Sequence, residues 1–194
     1  MPEAAARTPY DADALVDVAV RVFLERGYDG TSMGDIARAA GLGKSSIYHH
    51  VAGKEDLFER GVRRALDALF AALEEPKCRR GRPVDRLRAV IARTVHIMTE
   101  QPAEVALLLR VRGNTPVERT VVERRRAFDR VVTELVLESS KAGEVRADLD
   151  PALVTRLVFG MSNSVVEWYR VDGSLRPPEI VAAIDAIVFD GLVP

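Results

Sequence analysis

Residues 31–51 narrow the possible folds of this chain more than any other stretch of its sequence. They read TSMGDIARAAGLGKSSIYHHV, which places one short helical pattern before a glycine-bounded turn at 41–43 and a second one after it. In the second pattern Ile47 and Val51 lie four residues apart and leave a thin apolar stripe, while most other side chains are polar. Since such a stripe cannot fill a core, we expect a helix-turn-helix unit whose second helix presents polar side chains outward.

The flanking sequence predicts helices that would support this unit. Apolar residues recur at the i, i+3, i+4, i+7, i+8 spacing of one helix face, so a first helix is predicted at 13–26, and Gly27 is expected to end it in a left-handed turn. Thr31 or Ser32 can cap the next helix. A further helix, with acidic residues in its first turn, is predicted at 53–73.

These residues resemble the DNA-binding domain of the TetR family of bacterial transcription regulators. The resemblance keeps one register over residues 11–69 and is carried by Gly27, Tyr28, Thr31, Ser32, Met33, Asp35, Ile36, Ala37, Ala40, Gly41, Leu42, Ile47, Tyr48, His49, His50, Val51, Lys54, Glu55, Asp56 and Leu57. It implies an all-α, TetR-like fold of about nine helices. A three-helix helix-turn-helix domain would occupy 9–69, with its motif at 32–51, and a larger helical ligand-binding and dimerisation domain would occupy 70–194.

The resemblance assigns DNA contacts to ten residues. Lys44, Ser45 and Ser46 stand at the entry of the recognition helix, where lysine can donate to guanine and serine can serve several bases. The remaining matching positions mainly hold phosphates or pack beside the DNA backbone, which fixes register without reading sequence: Thr31, Ser32, Met33, Tyr48, His49, His50 and Lys54. From the residues alone, His50 can also be a structural residue packed toward the first helix, and Lys54 a solvated lysine at a helix start.

The charge of the chain is not that of a strongly basic DNA-binding protein. It has 28 Lys and Arg against 29 Asp and Glu, and residues 1–64 hold nine basic side chains against ten acidic ones. Three departures from the family pattern each weaken a phosphate or cap interaction: Gly43 replaces a capping serine, Gly34 a basic residue, and Arg7 is the one basic residue of the arm before the first helix. We therefore expect modest non-specific affinity and a shallow salt dependence of DNA binding.

The remaining sequence is helical in pattern, and its last part implies a dimer. Helices are predicted at 83–101, 104–112, 116–142, 151–170 and 177–192. The last two are too apolar to face water on more than one side, and in the family they pack on their symmetry mates as a four-helix bundle. The resemblance thus implies a homodimer on double-stranded, pseudo-palindromic operator DNA. The residues assigned to dimerisation are Leu157, Met161, Val165, Ile180, Ile184, Ile187 and Val188.

The resemblance also implies a small-molecule site in the C-terminal domain, where a bound effector shifts the spacing of the recognition helices and releases a repressor from its operator. Candidate lining residues are polar groups that interrupt apolar helix faces: Thr94, Arg110, Ser162, Asn163 and Trp168. Each has a structural alternative. Thr94 can bond to a carbonyl of its own helix, Arg110 can be solvated, and Ser162 can permit close helix packing.

Two classes of effector remain open. Residues 148–175 are similar to family members that sense acyl-CoA thioesters, which need an apolar tunnel with basic residues at its mouth. A hydrophobic drug-like cation would instead need buried acids among aromatic rings. Glu104, Glu134 and Glu167 are available for that purpose, and such a protein would regulate an efflux or detoxification gene.

The sequence indicates neither an enzyme nor a membrane protein. It lacks a glycine-rich phosphate loop, a nucleophile elbow and a metal-ligand cluster, so no catalytic residue, cofactor or metal site is predicted. No apolar run approaches the ~20 residues of a membrane span, and the N-terminus lacks the apolar core of a signal peptide, so a cytoplasmic location is expected. A helical adaptor that does not bind DNA is the remaining alternative.

Two basic stretches are interpreted as solvated. Cys78 is the single cysteine, which excludes an internal disulfide, and its basic neighbours at 77–82 would lower the thiol pKa if the thiol were exposed. A redox role is therefore weighed against a solvated basic loop between helices. The charged run 118–130, which includes Arg124, Arg125 and Arg126, is interpreted as a solvated helix face with i, i+4 ion pairs rather than as a second DNA site.

Overall fold

Helices form all the regular secondary structure in residues 12–190, the part of the chain that the computed structural model describes, with Lys44 described by its backbone alone. These residues divide into two compact units between Gly61 and Val62. The all-α architecture predicted from the sequence is confirmed. The division falls inside a helix, eight residues before the boundary expected at 69/70.

The first unit contains three helices and the start of a fourth: α1 (Ala12–Arg26), α2 (Met33–Ala39), α3 (Lys44–Ile47) and the N-terminal part of α4 (Lys54–Leu73). Gly27 ends α1 with φ +76°, as its position predicts. The core is built around three rings: Phe23 lies 5.5 Å from Tyr28 and 6.0 Å from Phe58, and Tyr28 lies 4.8 Å from Phe58, between ring centroids. Such aromatic contacts add to the burial that holds α1 on α4.

The second unit contains the rest of α4 and seven further helical segments: α5 (Pro76–Arg79), α6 (Pro83–Glu100), α7 (Pro102–Arg110), α8 (Pro116–Lys141), α9 (Pro151–Asn163), α10 (Val165–Trp168) and α11 (Pro177–Asp190). Proline stands in the first turn of α5 to α9, where its missing N–H costs nothing. Helix α6 is central, because it packs against α5, α7, α8, α9, α10 and α11, while α8 also packs against α9.

Two of the segments, α5 and α10, were not predicted. The helix predicted at 151–170 is interrupted at Ser164, whose hydroxyl donates to the Met161 carbonyl at 2.7 Å. A serine hydroxyl that competes for helix carbonyls in this way disturbs the regular hydrogen-bond ladder. The helix therefore ends at Asn163 and a single turn, α10, follows it.

The interpretation of the segment around Cys78 as a solvated loop is wrong. The segment forms α5, and the Cys78 side chain is buried with 4% of its surface exposed. Burial raises the pKa of the thiol, the nearby Glu75 raises it further, and Arg93 opposes them. The thiol is therefore held protonated rather than activated, because a thiolate would have to be desolvated beside a carboxylate.

Candidate nucleic-acid interface and ligand cavity

Helix α3 and the turn after it present polar side chains to solvent. Ile47 and Val51 are 0% and 4% exposed, so these two residues anchor the segment in the core of the first unit. Ser45, Tyr48 and His49 are exposed, and Ser46 and His50 are half-buried. The outward polar face predicted from the thin apolar stripe therefore exists in the folded chain.

The start of α2 is fixed by a reciprocal cap. The Asp35 N–H donates to Ser32 Oγ, and the Ser32 N–H donates to Asp35 Oδ2 at 3.0 Å, which completes a capping box. Arg26 and Arg38 donate to the other carboxylate oxygen at 2.9 and 3.1 Å. The pKa of Asp35 falls to about 2, because Ser32 binds its carboxylate through side chain and backbone and the two arginines add favourable charge.

Thr31 and Ser32 differ in the exposure of their side chains to solvent, and so in whether a nucleic acid can contact them. Thr31 is 3% exposed and its hydroxyl donates to the Gly27 carbonyl at 2.7 Å, so it acts as a structural residue of the α1–α2 loop and its assignment to a DNA contact is not supported. Ser32 is exposed, and its hydroxyl also donates to Asp35. Met33 is half-buried at the first position of α2.

Lys54 has an internal partner. Its ammonium donates to the Tyr28 carbonyl at 2.9 Å and lies 4.3 Å from the centroid of the Tyr28 ring. It therefore ties the start of α4 to the α1–α2 loop, and the interpretation as a simply solvated lysine is wrong. An ammonium has three N–H groups, so this carbonyl leaves donors for a phosphate.

The second unit contains a cavity of about 510 Å³. Its volume lies in the range of sites that bind drug-sized molecules, roughly 300–1,000 Å³. Its apolar lining comes from five helices: Leu69 of α4, Met98 of α6, Val105, Leu108 and Leu109 of α7, Phe128 of α8 and Phe159 of α9. The rings of Phe128 and Phe159 are 5.8 Å apart, and Phe128 also contacts Phe70 at 5.9 Å.

Four arginines line this otherwise largely apolar space. Arg112 and Arg125 donate to the backbone carbonyls of Leu109 and Leu108, at 3.0 and 3.3 Å. Arg130 and Arg156 form neither a hydrogen bond nor an ion pair with any residue in 12–190. An arginine beside a cavity that forms no hydrogen bond or ion pair within its own chain is suited to bind a phosphate or carboxylate of a ligand.

Asp129 is the acid that lines the cavity. Burial raises the pKa of its carboxyl, while the positive charges of Arg125 and Arg130 act in the opposite direction. The carboxyl is thus partly compensated by two arginines of its own helix. The cavity keeps an excess of positive charge, because four guanidinium groups face one carboxyl.

The loop that carries Arg112 is fixed by one carboxylate. Oε2 of Glu118 accepts the N–H groups of Arg112, Gly113 and Asn114 at 3.2, 2.8 and 3.0 Å. Glu118 is 8% exposed. Burial raises its pKa, but the three backbone N–H donors outweigh burial and hold the pKa below its usual value.

The predicted pocket residues separate into two groups. Thr94 and Asn163 line the cavity, although the Thr94 hydroxyl donates to the Val90 carbonyl of its own helix at 2.8 Å. Arg110, Ser162 and Trp168 do not line it. Ser162 is 1% exposed, with no hydrogen bond to its hydroxyl among the described atoms, and Trp168 is half exposed with its ring N–H 3.4 Å from Ser164 Oγ.

The interpretation of 118–130 as a solvated face is wrong for several of its residues. Glu118 is buried, Arg125 faces the cavity, and Arg124 pairs with Asp67 at 2.7 Å while lying over the Phe70 ring. The spacing of residues 125, 128, 129 and 133 could have indicated that this side of α8 faces the cavity, because residues at this spacing share one helix face. The acids Glu104, Glu134 and Glu167 do not line the cavity.

The residues assigned to dimerisation fall into a buried group and a group that is at least partly exposed. Val165, Ile180, Ile184 and Val188 are 1–6% exposed, so they pack in the core of their own chain and offer almost no surface to a partner. Leu157 and Ile187 are each 64% exposed, and Met161 is half-buried. The exposed apolar surface that a second copy could cover therefore includes Leu157 and Ile187, with Leu153 at 47% beside Leu157.

Within the part of the chain that the structure describes, no helix is long and apolar enough to cross a membrane. The same residues hold no group of three or more His, Cys, Asp or Glu side chains arranged to bind a metal ion.

Comparison with known proteins identifies the family. Residues 15–60 match the family described as bacterial regulatory proteins, tetR family, and residues 80–192 match the tetracyclin repressor-like C-terminal domain. The HTH-type transcriptional repressor KstR2 of Rhodococcus jostii is 30% identical over 186 residues, which cover 92% of this chain and 89% of the relative.

Two solved structures are similar over almost the whole chain. A member of the TetR transcriptional regulator family from Streptomyces coelicolor is 50% identical with a TM-score of 0.88, covering 97% of this chain and 94% of its own. AibR in complex with isovaleryl coenzyme A and operator DNA is 25% identical with a TM-score of 0.79, covering 92% and 97%.

A helix-turn-helix unit with an outward polar helix, followed in the same chain by a helical unit that contains a cavity, is the arrangement of a DNA-binding regulator. The chain belongs to the TetR family. As such it is a ligand-responsive, DNA-binding transcriptional repressor.

Proposed function

We propose that this chain acts as a homodimeric repressor that is released from a pseudo-palindromic operator when an acyl-CoA thioester occupies the cavity. The observation that carries the effector class is the set of four arginines in a largely apolar cavity of about 510 Å³. An acyl-CoA combines an apolar acyl group with several phosphates, so it complements both features. The structural neighbour AibR, whose complex contains isovaleryl coenzyme A, supports the same class.

The residues proposed to read the operator are Lys44, Ser45 and Ser46, at the start of α3. Tyr48, His49 and His50 would contact or flank the phosphates, together with Lys54 and the α2 start at Ser32 and Met33. Two copies are needed, because the half-sites of a palindrome lie about one helical turn of DNA apart. A repressor acts where the chromosome is, so we propose a cytoplasmic protein with no catalytic role.

Release requires the effector to prefer one conformation of the dimer. Moving a population from 1:99 to 99:1 takes about 5.5 kcal/mol of differential binding, whatever the total affinity. Helix α4 holds residues of both compact units, since Lys54 lies in the first and Leu69 lines the cavity of the second. We propose that effector contact with Leu69 and its neighbours biases α4 and thereby the spacing of the two recognition helices.

A regulator of drug efflux that senses a hydrophobic cation is the second candidate. Asp129 favours it, because this carboxyl lines the same cavity as the rings of Phe128 and Phe159. The four arginines oppose it, since they would repel a cation more strongly than one carboxyl attracts it. We therefore rank it below the acyl-CoA proposal.

The test is fluorescence anisotropy with the DNA that lies upstream of the protein's own coding region. Saturating isovaleryl-CoA and a panel of straight-chain, branched and cyclic acyl-CoA thioesters are compared with free CoA, the free acids and a quaternary ammonium amphiphile. We expect at least one thioester to weaken operator binding about tenfold or more, a coupling free energy of ~1.4 kcal/mol, and free CoA and the free acids to leave it unchanged.

A matched pair of variants tests the role of the arginines. Arg130→Met should raise the thioester concentration needed for release, because it removes a cavity cation whose N–H groups form no hydrogen bond among residues 12–190 and can bind the ligand. Arg126→Met is the control, since Arg126 is exposed on the same helix and does not line the cavity. Release by the ammonium amphiphile alone would favour the efflux alternative, and equal losses in the two variants would contradict the arginine assignment.

A further inference from the structure

The polar side chains that line the cavity differ in whether they donate or accept hydrogen bonds. The four cavity arginines carry only N–H donors. The other polar lining residues are three threonines, one carboxylate and one amide: Thr94, Thr133, Thr155, Asp129 and Asn163. The amide can both donate and accept. Which ligand groups the remaining four can bind depends on where the threonine protons point.

All three threonine protons are used within the chain. The hydroxyls of Thr94, Thr133 and Thr155 each donate to the carbonyl four residues earlier in the same helix, at 2.8, 2.9 and 2.9 Å. Thr133 Oγ also lies 3.1 Å from Thr155 Oγ, so α8 and α9 meet at this pair. Because a hydroxyl has a single proton, each threonine offers the cavity only the lone pairs of its oxygen.

Asp129 extends this accepting surface along α8, one turn before Thr133 and on the same helix face. Its half-buried carboxylate accepts no hydrogen bond and forms no ion pair among residues 12–190. The positive charges of Arg125 and Arg130 favour the ionised form, in which both oxygens only accept. A carboxylate that is partly withdrawn from water without a donor is costly, so a ligand that supplies a donor gains affinity there.

The acceptor site, defined as Asp129, Thr133 and Thr155, is less exposed to solvent than most of the cavity arginines. Thr155 is 4% exposed and the other two are half-buried, whereas three of the four arginines are exposed. Phosphates are costly to remove from water, so those of an acyl-CoA belong with the exposed arginines. The rings of Phe128 and Phe159 line the same cavity and favour the apolar acyl chain. The donor that meets the acceptor site is therefore expected on the acyl group.

We propose that Asp129, Thr133 and Thr155 form an acceptor site that selects an effector whose acyl group carries a hydroxyl. This inference rests on the proposed acyl-CoA function and narrows its effector class. A plain acyl chain leaves the carboxylate facing hydrocarbon, and a keto group sets a second acceptor against it. The site thereby distinguishes a hydroxyacyl thioester from its saturated and oxidised counterparts, although they differ at a single carbon.

Calorimetric titration of the full chain, without DNA, tests this selectivity. The probes are octanoyl-CoA, its β-hydroxy and ω-hydroxy derivatives and its β-keto derivative. We expect at least one hydroxy derivative to bind about tenfold more tightly than octanoyl-CoA, and the keto derivative to bind no more tightly than octanoyl-CoA. Because the pantetheine arm is common to all the probes, a difference between them reports on the acyl group alone.

Two replacements of Asp129 give different expectations. Asp129→Leu removes the charged acceptor and should abolish the advantage of the hydroxy derivative. Asp129→Asn keeps the shape of the side chain and adds N–H donors, so it should raise the affinity for the keto derivative about tenfold. Glu134→Leu is the control and should keep the original preference, because Glu134 is exposed on the same helix and does not line the cavity. Circular dichroism verifies that each variant is folded.

Equal affinity for octanoyl-CoA and both hydroxy derivatives would overturn the inference and leave the proposed acyl-CoA function standing. Equal loss of affinity for all the probes in Asp129→Leu would also overturn it, because the donor would then lie on the pantetheine arm. If the unchanged protein bound the keto derivative most tightly, the site would be a donor and the inference would be wrong. Failure of every thioester to bind would contradict the proposed effector class, and this inference with it.

Discussion

At the scale of single residues, carboxylates fix the loops on which the two candidate sites depend. Asp35 closes the cap of α2, in front of the recognition helix, and Glu118 gathers three backbone N–H groups of the loop that positions Arg112 at the cavity. Both have a pKa below the usual value, so both bind their partners in the ionised form. Each is therefore a small, acid-sensitive support for a site that it does not itself form.

Replacing Glu118 by Gln tests this support. The amide keeps an acceptor but loses the charge that strengthens three hydrogen bonds, so the free energy of unfolding should fall by roughly 2 kcal/mol at pH 7. A carboxylate with a lowered folded-state pKa stabilises above its unfolded pKa of about 4.5 and loses that contribution as pH falls through the folded value. The difference between the two proteins, measured by urea unfolding, should therefore shrink at acid pH. Glu123→Gln is the exposed control.

The two lysines of the DNA-binding unit should behave differently when replaced by alanine. Lys44→Ala should weaken operator binding and relax its sequence preference, because a residue at the entry of α3 is expected to reach base edges. Lys54→Ala should weaken binding to all sequences about equally and reduce the salt slope by about one phosphate. Anisotropy titrations on operator and scrambled DNA distinguish the two roles, and the reverse pattern would show that they are exchanged.

Lys54→Ala has a second expected effect that Lys44→Ala does not share. It removes the donor to the Tyr28 carbonyl and the cation over the Tyr28 ring. Hydrogen bonds of this type are worth about 1–2 kcal/mol, so the variant should unfold at lower urea concentration. Its DNA affinity must therefore be measured where the circular dichroism confirms that the protein is folded.

Sequence reasoning at this scale succeeded where a residue acts through its neighbours in the chain. Ile47 and Val51 were predicted to anchor α3 and are buried, and Ser32 was one of two predicted caps and is the cap of α2. It failed for Thr31, because the carbonyl of Gly27 comes into reach only through the turn between α1 and α2. Arg125 was assigned to solvent because its neighbours in sequence are charged, whereas its face of α8 meets the cavity.

At the scale of elements, helix ends were predictable and short helices were not. Proline and glycine mark the ends of most long helices, and their effect on the backbone is local. Segments α5 and α10 have four residues each, too few to show a helical period. The cavity was even harder to predict from the sequence, because its apolar lining comes from five helices that meet only in the folded chain.

Gly27 offers a test of one such helix end. Its φ of +76° lies in the left-handed region, and an added Cβ would meet no atom within 4 Å, so the cost of a side chain is that of the backbone alone. Gly27→Ala should lower the free energy of unfolding by about 1–2 kcal/mol. Gly27→Asn should lose less, because asparagine tolerates this conformation better. Urea unfolding that ranks alanine with glycine would contradict this account of the α1 terminus.

At the scale of the whole molecule, charge limits how strongly the protein holds DNA without reading it. With 28 basic and 29 acidic residues, attraction to phosphate must come from a few local side chains. We expect the logarithm of the operator binding constant to fall gently with the logarithm of salt concentration, at about 0.9 per neutralised phosphate. A slope that implies ten or so neutralised phosphates per dimer would contradict this expectation.

The division between Gly61 and Val62 has a consequence for how such a protein can diverge. Every residue that lines the cavity follows this division, whereas the residues proposed to touch bases, Lys44, Ser45 and Ser46, precede it. Substitutions of the cavity residues can therefore change which effector is bound without changing which DNA sequence is recognised. Input and output can be inherited, exchanged or engineered as separate properties of one polypeptide.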